Sequence, residues 1–159
     1  MKWKCPFLLL VSLLLFDGSS PALAALGSDV SSIQQDAVSL GAPAARVTHL
    51  QTPNKAHYSR FEISRQWIRL REFVGPKGQV FALAWRGTHH PDLHALLGKH
   101  LHELQAAIGR ARRQGRRGGA VIFDSSDIHV EIGGRMNAVY GSVWLKDRIP
   151  AGMNLNEIR

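Results

Sequence analysis

Apolar residues follow two different periods along this chain, and the periods change from segment to segment. Over residues 28–40, Val30, Ile33, Ala37 and Leu40 recur at the spacing of one helix face. Ser28 or Asp29 is placed to cap that helix, and Gly41-Ala42-Pro43 to stop it. Arg46 to Gln51 reads as a short strand and Thr52-Pro53-Asn54-Lys55 as a loop. His57 to Ile63 puts Phe61 and Ile63 on one face, and Ser64-Arg65-Gln66 interrupts before Trp67 to Val74 resumes an extended pattern.

Gly75-Pro76-Lys77-Gly78 is a four-residue turn, because Pro presets one dihedral and the second Gly accepts a positive one. Val80 to Trp85 is apolar on both faces, as a strand covered on both sides must be. These three runs predict an antiparallel meander. Pro91 and Asp92 suit the first turn of a helix. Leu93, Leu96, Leu97, Leu101, Leu104, Ile108 and Ala111 then form one apolar stripe, ending at Arg112-Arg113 and Gly115. Ala120 to Phe123 is short and apolar, and Asp127 to Ile132 alternates. Gly133-Gly134 is the expected turn, and Met136 to Leu145 the returning strand. Ile149-Pro150-Ala151-Gly152 leads into a tail from Asn154 to Arg159. No internal repeat or interdomain linker interrupts this order. The predicted fold is α+β: a three-stranded meander and a second hairpin in an antiparallel sheet, packed by one long helix, with a short N-terminal helix.

The first residues follow a different logic. Met1-Lys2-Trp3-Lys4 is basic, Phe7 to Phe16 is an uncharged apolar run, and Asp17 to Pro21 is polar and helix-breaking. Ala22-Leu23-Ala24 then presents small residues at the positions a signal peptidase reads. The apolar run is half the length of a membrane-spanning helix, which needs about 20 residues. Residues 1–24 therefore read as a secretory signal cleaved between Ala24 and Ala25, and residues 25–159 as a single exported domain, periplasmic or secreted. Cleavage removes Cys5, the one cysteine of the chain, so the mature protein is expected to hold no disulfide and no thiol nucleophile, and no membrane span remains.

The run from Arg71 to Gly87 (REFVGPKGQVFALAWRG) resembles a core motif of an uncharacterised exported family of proteobacteria, domain of unknown function 2844. Pro91-Asp92-Leu93 with Leu96-Leu97-Gly98, the start Ala25-Leu26-Gly27 and the late Pro150-Ala151-Gly152 fit the same family. Its pattern has an aromatic pair shortly after Leu96-Leu97-Gly98, where this chain has His100 and Leu101. The resemblance implies an exported protein and supplies no catalytic residue.

The formal charge of +8 falls only to +7 without residues 1–24, so the charge belongs to the domain. Arg110, Arg112, Arg113, Arg116 and Arg117 crowd one short stretch. Guanidinium groups bind phosphate and carboxylate through paired donors and stay charged at any working pH. That cluster is the sequence's candidate anion site, for lipopolysaccharide, acidic polysaccharide or DNA, although cations also suit a helix C-terminus for its dipole alone. Five of the eight histidines lie between His89 and His102. His90 and His94 are spaced to share a helix face, whereas His100 and His102 point apart. His102-Glu103 opens like a zinc-protease motif, but Ala106 stands where its second His is required.

Asp127, His129 and Glu131 alternate on a strand and so share a face, a row suited to a divalent cation or to acid–base work. Trp67, Trp85 and Trp144 are each expected in a strand, as core or as an exposed aromatic pair. Tyr140-Gly141-Ser142-Val143-Trp144 lacks the spacing of a nucleophile elbow, and no phosphate-binding glycine loop follows a strand. The sequence thus favours a non-enzymatic binding or accessory domain without a cofactor, its partner an envelope protein or an anionic polymer. A metal-assisted hydrolase on Asp127, His129 and Glu131 is the enzymatic alternative.

Overall fold

A computed structural model describes residues 26–114 and 120–159. The Ala24–Ala25 bond, Cys5, Gly115, Arg116 and Arg117 lie outside the described residues. Seven strands form one antiparallel sheet: β1 (Arg46–Gln51), β2 (His57–Arg65), β3 (Ile68–Val74), β4 (Val80–Gly87), β5 (Val121–Asp124), β6 (Ile128–Arg135) and β7 (Ala138–Leu145). Their order across the sheet is β1-β2-β3-β4-β7-β6-β5, so β4 and β7 meet at the centre. Together with helices α1 (Ser32–Ser39), α2 (Leu93–Leu97) and α3 (Leu101–Arg113), this makes the fold α+β.

Three expectations need correction. The stripe from Leu93 to Ala111 is not one helix. Gly98 takes φ 49° and ψ −124°, a conformation without steric penalty only for glycine, and a 3₁₀ turn over Gly98–His100 separates α2 from α3. The start of α2 is as expected, with the Asp92 carboxylate accepting from the amides of His94 and Ala95. Second, Gly133-Gly134 is not the hairpin turn. The strand β6 continues to Arg135 and the chain reverses at Met136–Asn137, where Asn137 takes φ 60°. Gly133 serves the strand instead, because a Cβ there would stand 2.5 Å from the Tyr140 hydroxyl. Third, Trp67 lies in the turn between β2 and β3 and is partly exposed, whereas Trp85 and Trp144 are buried.

Strand alternation gives the sheet two unlike faces. One carries Ile63, Leu70, Leu83, Trp85, Val130 and Val143, packed with Ile33 and Ala37 of α1, Leu96 and Leu97 of α2 and Leu104 of α3. Half of the opposite face is covered by residues 149–159, which form a strap after β7. Ile158 is fully buried there in a cluster with Tyr58, Phe73 and Trp144. The Thr52 hydroxyl donates to the Ala151 carbonyl at 2.8 Å, and the Tyr58 hydroxyl donates to the Glu157 carboxylate. The other half of that face stays open.

Candidate functional site, an arginine-lined face of the sheet

The open half is built by period-two alternation in three adjacent strands. Arg60 and Glu62 project from β2, Arg69 and Arg71 from β3, and Arg86 from β4. Arg69 stands directly opposite Arg86 in the ladder, and Glu62 opposite Arg71. Arg159 closes one side from the end of the strap. These residues, with Arg65 and Trp67 at the rim, line a cleft of about 710 Å³. Five arginine side chains (Arg60, Arg69, Arg71, Arg86 and Arg159) and one acidic side chain face it, whereas the Arg65 guanidinium turns to the other side of the sheet, beside Gly41.

The charges in this cleft are poorly compensated. Like charges opposite one another in a ladder are destabilising. Glu62 approaches Arg69 at 3.5 Å, and Glu131, beside the cleft, approaches Arg159 at 3.4 Å. Arg71 is half-buried. It donates to the main-chain oxygens of Arg159 at 2.7 Å and Glu157 at 3.3 Å, which ties the strap to β3. Burial, and then the positive charges of Arg60 and Arg86, pull its pKa down, although a guanidinium still stays charged at neutral pH.

The rim is held by main chain. The Trp67 carbonyl accepts from the Thr88 amide at 2.8 Å. Gly87 permits this approach, because a Cβ at that position would lie 2.3 Å from the Trp67 oxygen. Trp67 and Tyr140 each expose 36% of their surface. Trp67 lines the cleft, and Tyr140 stands directly opposite Arg86 on β7, just outside it.

The residues singled out from sequence lie elsewhere. Arg110, Arg112 and Arg113 are in the last turn of α3, where their charges complement the helix dipole, and Arg110 also lies over the Phe123 ring. Asp127, His129 and Glu131 do not converge. Asp127 precedes β6 and is exposed, Glu131 approaches Arg159, and His129 stacks on Trp144 with ring centroids 4.0 Å apart. The His129 Nδ1 lies 2.8 Å from Asp124, which also meets Lys146 at 2.8 Å. The Lys146 contact first, then His129, hold the Asp124 carboxyl below the usual carboxylate range. The paired helix-face histidines also separate: His90 precedes α2, and its Nδ1 accepts from the Trp85 indole at 3.0 Å. Among the described residues, no three His, Cys, Asp or Glu side chains stand together as metal ligands would. Among them, too, no helix is long and apolar enough to cross a membrane.

The arginine face was not found from sequence because its members come from four separated segments. The available signal was the phase of Arg60-x-Glu62 and Arg69-x-Arg71, on the exposed side of strands whose other side is core, with Arg86 at the end of a strand buried on both faces.

Fold and site together define a small α+β protein with a cationic cleft on its sheet. The chain belongs to the family described as Protein of unknown function (DUF2844), which it matches over residues 22–158. No curated protein and no solved structure matches it.

Proposed function

We propose that this chain is an exported, non-enzymatic binding domain that holds an anionic polymer on the open face of its sheet. The observation that carries the reading is the set of arginines facing one cleft with a single carboxylate among them. Arg69 against Arg86 is unfavourable and is offset in part by Glu62 at 3.5 Å from Arg69, so a bound polyanion relieves the repulsion that remains. Export is supported by the leader-like pattern of residues 1–24 and by a family match that begins only at residue 22. The sheet is a better anion site than the end of α3, where the helix dipole already accounts for the cations. The hydrolase alternative draws no support from Asp127, His129 and Glu131, which engage different neighbours.

The test is polyanion binding followed by fluorescence anisotropy across a salt series. Dextran sulfate is expected to bind with an affinity that falls as salt rises. Arg69→Ser with Arg86→Ser should lower the slope of log K against log salt by about 2, at about 1 per contact. Arg110→Ser with Arg112→Ser should leave it unchanged. The opposite pattern would move the site to the helix end and defeat the proposal.

A further inference from the structure

We infer that the polymer held on this face is an acidic glycan, a chain of sugars bearing carboxylates; this rests on the anion-binding reading above and names its ligand class. Three features of the cleft point to it. Arginines alone would suit any polyanion, but Glu62 stands among them. Its side chain is 31% exposed, and its contacts are loose: Arg69 at 3.5 Å and the Ser64 hydroxyl at 3.4 Å. A carboxylate in a cationic cleft repels every polyanion, but one that carries hydroxyl donors, as a sugar chain does, returns hydrogen bonds to it, and polyphosphate has none to give. The second feature is Trp67, an accessible aromatic fixed at the rim by the Gly87–Thr88 main chain. A pyranose ring offers an apolar C–H face that packs on such a surface.

The third feature is how the groups are spaced. Trp67 lines the cleft, whereas Tyr140 lies outside it, across from Arg86 on β7, so successive bases of a nucleic acid would not find successive platforms. Sugars alternating ring faces with carboxylates match an aromatic beside guanidinium groups. Guanidinium groups take a carboxylate through paired hydrogen bonds. The volume of about 710 Å³ lies within the range of clefts that hold small organic ligands, and so accommodates a short stretch of such a chain.

The experiment compares three probes of matched charge by isothermal titration calorimetry: an oligogalacturonate, inorganic polyphosphate and a single-stranded oligothymidylate. The oligogalacturonate is expected to bind tightest, and its methyl ester to lose binding. Glu62→Gln should weaken the uronate about tenfold while strengthening polyphosphate, an opposite pair of effects that a merely structural change does not produce. Trp67→Ala should weaken the uronate alone, with Trp67→Phe restoring it. Equal affinity for all three probes, with Glu62→Gln strengthening each, would overturn the glycan assignment and leave anion binding standing. Preference for the oligonucleotide would also overturn it. If no probe binds a protein whose circular dichroism shows it folded, both readings fall.

Discussion

Glu72 is fully buried on β3, on the face that α1 covers, and Asp36 of α1 is 1% exposed beside it. Two carboxylates buried side by side lose the hydration that a charge needs and repel one another when both are ionised, so the pair favours holding a proton. Burial chiefly, and the Asp36 charge after it, push the Glu72 carboxyl up to about 9 from an ordinary 4.5. The sign of the stability effect follows. Between those values the folded chain keeps a proton that the unfolded chain releases, so stability is full below the unfolded value and falls as pH rises towards the folded one. One proton changes stability by about 1.4 kcal/mol per pH unit, or about 4 kcal/mol between about pH 5 and about pH 8. Glu72→Gln removes the titration and keeps a neutral donor for Asp36. Urea unfolding followed by the fluorescence of buried Trp85 and Trp144 measures it. The wild type should lose stability steadily over that interval, and the variant should lose much less and become the more stable protein at the upper end. Parallel pH profiles for the two proteins would refute the retained proton.

Two further outcomes test the frame around the site. Ile158→Ala should cost about 2–5 kcal/mol in a urea titration, the usual range for emptying a fully buried aliphatic site. It should also free the strap, seen as faster hydrogen exchange over residues 149–159. Gly87→Ala should lower thermal stability by an amount equivalent to about 1–3 kcal/mol, because its Cβ would meet the Trp67 oxygen at 2.3 Å; an unchanged melting temperature would show that the rim yields.

What was legible in the sequence depended on whether one segment contained its own reason. The strand from Arg46 to Gln51 and the Gly75–Gly78 turn, with Gly78 at φ 74°, stand as the local pattern predicts. The helix break at Gly98 was not legible, since a helix tolerates an isolated glycine inside an apolar stripe at modest cost. Gly133 misled for a tertiary reason: it makes room for Tyr140, a residue of the next strand. Clusters in sequence drew attention to Arg110–Arg117 and to Asp127, His129 and Glu131. A further gathering of charge is made by pairing β2, β3 and β4, and it becomes visible only when the register is known.

β3 carries the two kinds of chemistry back to back. Its even positions, Ile68, Leu70, Glu72 and Val74, face the helices, and Arg69 and Arg71 face the cleft. A saturation scan along this strand would therefore separate two phenotypes at single-residue resolution. Substitutions at 68, 70, 72 and 74 would register as changes in abundance, and those at 69 as changes in retention on a polyanion at constant abundance. Arg71, which also ties down the strap, would register in both. One strand thus supplies, in neighbouring residues, both the experiment and its control.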